Sequence, residues 1–261
     1  MRCYEPEDRA FWNAIISVAS TLEGRDKLTK LLQYGSRALS WYCFASHTNK
    51  MGMGFSNLYK ATQQARKVFR LGKSALLYAK LGTILEKKDT SQYERNLELI
   101  QQCGMMGFLA YDNIIFLSKA NVVKLDEGKA VRQGGLLWFI ANVAAFLRTV
   151  NLIKLNIDEE NANRERLSFL SNADQTEVSQ AQLDALLQTR SKNLVSLLKI
   201  TCDLVVSSNT SGVRIPERVM GTKLHDGIIG PVGCLSAILF LYNMWPKPQA
   251  NLMLKPDDST A

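Results

Sequence analysis

The stretch "GRDKLTKLLQYGSRALSWY", Gly24 to Tyr42, decides the fold class. Leucines recur at three- and four-residue intervals, the period of an α-helix and not of a strand. On a helical wheel Leu28, Leu31, Leu32, Gly35, Ala38, Leu39 and Tyr42 share one face, and Lys30, Gln33, Arg37 and Ser40 share the other. Just upstream, Ser20 with Glu23 three residues later fits a capping box at the helix start.

The same period continues along the chain, and alternating β patterns are scarce, so the expected fold is all-α. A second amphipathic pattern runs from Leu58 to about Leu81 after the Gly- and Met-containing break "HTNKMGMGF". Its apolar arc includes Ala61, Val68, Phe69 and Leu76; its polar arc holds Lys60, Arg66, Lys67, Arg70 and Lys73, with no acidic residue between Leu58 and Leu85. An all-basic polar face fits a helix lying in a membrane interface, where each cation near an anionic bilayer contributes roughly 1 kcal/mol. A soluble bundle with its basic faces in water is the other reading, and composition does not choose between them.

Two apolar blocks follow. "CGMMGFLAYDNIIFLS", Cys103 to Ser118, contains Asp112, and "GGLLWFIANVAAFL", Gly134 to Leu147, ends at Arg148. Both are shorter than the ~20 residues that cross a hydrocarbon core. If the first enters lipid, Asp112 must face another helix, with Arg132, Arg148 and Lys124 as candidate partners. "GIIGPVGCLSAILFLYNMW", Gly227 to Trp245, is the clearest spanning candidate: it is uncharged, ends in Tyr242 and Trp245 with Lys247 beyond, and offers Gly227, Gly230 and Gly233 as a small-residue face. Its alternative is a buried helix of a soluble core. The polar stretch from Asn156 to Gln182 reads as a soluble connection or mobile insert.

These patterns divide the chain into an amphipathic region (1–100), apolar membrane-associated helices (101–155), a polar variable insert (156–190) and C-terminal helices with a span near 227–245. One or two membrane-spanning or membrane-embedded helices are expected in the C-terminal half.

The bulk properties agree with a lipid partner. A net charge of +8 and a pI near 9.2 point to an anionic partner. No helix-turn-helix, finger or RNP motif accompanies the basic helix, so nucleic acid is not expected. Five cysteines (Cys3, Cys43, Cys103, Cys202 and Cys234) are scattered without a CxxC pair, which suggests a reducing compartment and neither a disulfide framework nor a zinc site. The two histidines, His47 and His225, lack metal-ligand spacing, and phosphate loops and nucleophile motifs are absent; no catalytic residue, metal or cofactor is expected. The first ten residues lack the apolar core of a secretory signal, and the last five are not an SKL-type peroxisomal address.

"LEGRDKLTKLLQYGSRALSWY" resembles the N-terminal signature of the peroxisomal biogenesis factor 11 (peroxin-11) family, carried by Gly24, Arg25, Asp26, Lys27, Leu31, Leu32, Gln33, Tyr34 and Gly35. "ARKVFRLGKS" resembles that family's basic amphipathic helix, and "YDNIIFLSKANVV" its middle segment. "KNLVSLLKITCDLVV" and "GPVGCLSAILFLYNMW" are similar to its C-terminal region. The resemblance implies a non-enzymatic peroxisomal, or glycosomal, membrane protein that elongates and proliferates the organelle before division. It further implies an anionic phospholipid membrane as partner, self-association, and engagement of dynamin-type fission machinery. Lys60, Arg66, Lys67, Val68, Phe69, Arg70, Lys73 and Leu76 are the expected membrane-binding residues. A pore for small metabolites, marked by Asp112 and Arg148, is the alternative implied activity.

Overall fold

A computed structural model describes residues 6–87, 90–169 and 173–246; Cys3, Lys247 and the chain's two ends lie outside them. Every regular element among the described residues is helical: α1 (Pro6–Ser20), α2 (Leu22–Ala45), α3 (Asn49–Phe69), α4 (Lys73–Glu86), α5 (Gln92–Lys119), α6 (Glu127–Phe169), α7 (Ala173–Ser211), α8 (Ile215–Met220) and α9 (Asp226–Met244). The all-α expectation holds.

Local signals explain several boundaries. α2 starts at Thr21, not at a Ser20–Glu23 box: the Thr21 hydroxyl accepts from the Gly24 amide at 3.0 Å, while Ser20 is the last residue of α1. Ser91 caps α5 by accepting from the Glu94 amide at 3.2 Å. The continuous helix expected from Leu58 to Leu81 is two helices, because Gly72 adopts φ +71 and breaks the chain between α3 and α4. The polar stretch from Asn156 to Gln182, expected as a soluble connection or mobile insert with short helical pieces, continues α6 and α7 as long helix wherever it is described. At 1.5 Å per residue, the 43 residues of α6 extend about 65 Å, roughly twice a hydrocarbon core.

Four helices run side by side in alternating directions. Along α9, Gly227 meets Trp41, Gly230 meets Ala38 and Gly233 meets Tyr34, all on α2. At Gly230 a Cβ would come within 2.6 Å of the Ala38 Cβ, so only glycine permits this approach. The small-residue face of α9 is therefore occupied by α2 within the same chain. α7 flanks α9 with Asp203 opposite Ser236 and Ser196 opposite Asn243, and α6 flanks α7 with Asn142 opposite Ser207. Tyr34, Val206 and Ile229 form the apolar centre of this group. α5 packs against α6, with Gly104 beside Leu137 and Tyr111 beside Gly134.

Two helices are long and apolar enough to cross a membrane, α6 and α9. Only 22% of the apolar window of α6 and 33% of that of α9 is buried inside the protein. Each has one face packed inside the protein and another exposed, Leu136, Ile140, Val143 and Leu147 on α6 and Ile228, Leu235 and Ile238 on α9, and that apolar face is available to lipid.

Candidate functional site: an ion-paired interior beneath an apolar surface

The expected membrane-binding and signature residues do not form two sites. They meet. Asp26 on α2 accepts from Arg66 Nε and from Arg70 Nε, each at 3.0 Å, and Arg66 Nη1 donates to Gln33 Oε1 at 2.7 Å. Arg70 Nη1 also donates to Asp112 Oδ2 on α5 at 2.8 Å. Two guanidinium groups and two carboxylates thus bind α2, the end of α3 and α5 together. Asp112, expected against Arg132, Arg148 or Lys124, has Arg70 as its partner, while Arg148 pairs with Glu98 at 3.3 Å and with Glu94 at 3.7 Å.

A second cluster lies further along α2. Lys30 Nζ donates to Asp203 Oδ1 at 2.8 Å and to Ser236 Oγ at 2.6 Å; Ser236 Oγ donates to the same Asp203 oxygen at 2.6 Å. Lys199 approaches the other Asp203 oxygen at 3.1 Å. Lys27, whose Nζ is 3.4 Å from Asp26 Oδ2 and 4.4 Å above the Phe240 ring, stands between the clusters. Charge removed from water in this way is stable only with full partnering, and each cluster supplies it.

The remaining residues explain the pattern. Leu32, Leu39 and Tyr42, on the apolar arc of α2, are exposed at 50%, 47% and 51%, whereas Lys30 and Gln33 are buried. On α3, Arg66 and Lys67 are buried and Val68 is exposed; Phe69 is half-buried and Lys60 exposed. Burial lowers the Lys67 ammonium from its ordinary value, with Asp112 opposing the shift. On α4, Leu76 and Tyr78 are exposed at 66% and 70%, and Lys73 pairs with Glu23 at 3.3 Å. Arg66, Lys67 and Arg70 of the basic arc turn inward while Lys60 stays outside, and much of the apolar arc turns outward. Of the signature residues, Gly24, Asp26, Gln33 and Tyr34 are buried, Lys27, Leu31 and Gly35 are half-buried, and Arg25 and Leu32 are exposed.

Water and lipid favour opposite arrangements of such arcs. In water, leucines are driven inward and paired charges gain little by burial. In lipid, an exposed leucine costs nothing and an unpaired charge is prohibitive, so polar groups gather in the interior. The sequence pattern had a detectable second signal for this: Lys30, Asp112, Lys199 and Asp203 each sit within or beside apolar runs, where only mutual pairing is tolerable. Among the described residues no cluster of His, Cys, Asp or Glu is arranged to hold a metal ion.

Comparison with known proteins places this architecture. The chain is 23% identical over 257 residues to "Peroxisomal membrane protein 11 homolog" from Dictyostelium discoideum, covering 93% of this chain and 98% of that protein. It is 22% identical over 246 residues to "Peroxisomal membrane protein 11A" from Arabidopsis thaliana, covering 92% and 95% respectively. No solved structure matches. The sequence model described as "Peroxisomal biogenesis factor 11 (PEX11)" matches residues 12–245, from α1 to the end of α9. The chain therefore belongs to the peroxisomal biogenesis factor 11 family, a protein of the peroxisomal membrane that serves the biogenesis and proliferation of that organelle.

Proposed function

We propose that the chain elongates the peroxisomal membrane by inserting the outward apolar surface of its N-terminal helices, that of α4 above all, unequally into the two leaflets. The observation that carries this is the inverted polarity of α2 to α4: Leu32, Leu39, Val68, Leu71, Leu76 and Tyr78 are exposed, and Asp26, Arg66 and Arg70 bind one another inside. An apolar wedge in the acyl boundary expands one leaflet relative to the other, and exposed cations such as Lys60 and Lys80 add attraction to anionic headgroups. Self-association multiplies the curvature that one chain imposes. Dynamin-type fission machinery, a partner implied by family resemblance, would then act on the elongated tubule.

The ion pairs give the wedge its stiffness. Arg70 ends α3 and is held at once by Asp26 and Asp112, so the α3–α4 elbow at Gly72 has a fixed position against α2 and α5. A rigidly held insert deforms the bilayer instead of adapting to it.

The test is reconstitution of the full chain into vesicles containing anionic phospholipid, imaged by electron microscopy. Tubules are expected with the wild type. The double substitution Leu76→Gln and Tyr78→Gln, on exposed positions of α4, is expected to lower tubule number at unchanged protein incorporation. Spherical vesicles at high wild-type density, or equal tubulation by the double variant, would remove this mechanism.

A further inference from the structure

An open surface cavity of about 350 Å³ lies where the start of α6 meets the end of α7, lined by Gly128, Val131 and Arg132 on one side and by Asn209, Thr210, Gly212 and Arg214 on the other. We propose that it binds the phosphate group of an anionic phospholipid. This use is distinct from the wedge on α3 and α4, although it rests on the same placement of the chain in a membrane.

Three observations converge. First, two guanidinium groups line the cavity and no carboxylate does. Arg132 makes no hydrogen bond or ion pair with any described residue, and the Asn209 amide makes none either. Arg214 has only a 3.5 Å approach to Glu217, outside the cavity lining. The other nearby carboxylates are engaged elsewhere: Asp126 Oδ1 accepts from the Lys129 amide at 3.1 Å and Glu127 approaches Lys119 at 3.6 Å. Guanidinium groups with a neutral amide form the donor set that a phosphate accepts from.

Second, the backbone is shaped to leave the cavity open. Gly212 has φ +78, and a Cβ there would lie 3.0 Å from Arg132 Nε. Arg214 also adopts the left-handed region, with φ 51, as the chain leaves α7. The turn thus bends around the Arg132 guanidinium without covering it.

Third, the cavity sits at the level where the apolar faces begin. Gly135 on α6 packs against Thr210 and Ser211, and Gly227, on the adjacent end of α9, opens the candidate span. Beyond Arg132, Leu136, Ile140 and Val143 are exposed along α6, a path for an acyl chain leading away from the phosphate. A soluble phosphate compound would use the donors and not this path.

Native mass spectrometry of the detergent-purified full chain tests the assignment. The wild type is compared with the Arg132→Gln, Arg214→Gln double variant and with Lys223→Gln, a control at the same end of the molecule but outside the cavity. Dioleoyl phosphatidic acid is the probe, and dioleoyl phosphatidylcholine the reference lipid. The wild type and the control are expected to retain phosphatidic acid in preference to phosphatidylcholine, and the double variant to bind it about tenfold more weakly, the loss of charge-assisted bonds to one phosphate. Thermal unfolding of the double variant near the wild-type midpoint establishes that this loss is local. Equal retention by wild type and double variant, or no preference between the two lipids, overturns the site. In a second arm excess inorganic phosphate is added first: persistence of bound phosphatidic acid supports the lipid, and its displacement overturns the lipid in favour of a soluble phosphate group. Vesicle tubulation is read separately, so failure of the wedge leaves this outcome untouched.

Discussion

Single side chains show how an amphipathic pattern can be read correctly and still leave open which arc faces the protein. Lys30 and Gln33 on one arc of α2, and Leu32 and Leu39 on the other, are separable from the sequence alone. The arcs carry no information on which one faces the protein, because that depends on the surrounding solvent. Likewise, Arg66 and Arg70 were identifiable as one basic face and Asp26 and Gln33 as part of a separate signature. Their meeting required the fold, since 40 residues separate Asp26 from Arg66. The Lys30–Asp203 pair gives a direct test. With side chains 7% and 6% exposed, removal of one partner leaves the other buried and uncompensated. Lys30→Met is expected to destabilise the detergent-solubilised chain by about 3–5 kcal/mol. Adding Asp203→Leu is expected to recover part of that loss, because the orphaned carboxylate is gone. Thermal unfolding of the single and double variants measures both; additive losses would mean that the two groups do not act as a pair.

At the scale of elements, the helical class and the order of apolar and amphipathic segments were legible, whereas helix lengths were not. Apolar content marked Gly134 to Leu147, but α6 extends from Glu127 to Phe169 because polar residues past the apolar run continue in helix against α7. The α3–α4 break was missed because Gly72 falls at an otherwise periodic position, and a glycine within a helical pattern is usually tolerated. The glycines of α9 were recognised as a contact face, but their partner α2 was not, since a small-residue stripe does not specify what approaches it. This pairing is checkable at one position. A Cβ at residue 35 would lie 3.8 Å from Cys234 Sγ, close enough for a disulfide after side-chain rotation. Gly35→Cys is expected to form an oxidised link to Cys234, identified as a cross-linked peptide by mass spectrometry. If both thiols stay free under oxidant while the chain remains folded, α2 does not lie on this face of α9.

For the whole molecule, the antiparallel order of helices relates α1 and the end of α9 to one another. Near one end of the four-helix group, Trp41 stacks on His225 at 4.2 Å and Arg37 pairs with Asp226 at 2.6 Å, so the end of α2 adjoins the start of α9. At the other end, Phe11 of α1 lies 6.0 Å from Trp245, between ring centroids, and Ser196 of α7 meets Asn243. α6 runs toward this second end and α7 returns from it, so the helical hairpin formed by their polar halves projects on the side of α1 and the end of α9. Because α6 and α9 both run in that direction, crossing by these helices brings α1, the hairpin and the end of α9 to one face of the membrane, with the α5–α6 connection on the opposite face. Epitope tags placed at the N-terminus, between α6 and α7, and after Asn121 test this arrangement in isolated peroxisomes treated with protease. The first two tags are expected to be digested together or protected together, and the third to behave oppositely. A difference between the N-terminal and hairpin tags would contradict the common face. So would identical behaviour of all three before detergent is added, because the polar hairpin and the α5–α6 connection would then share one side of the bilayer.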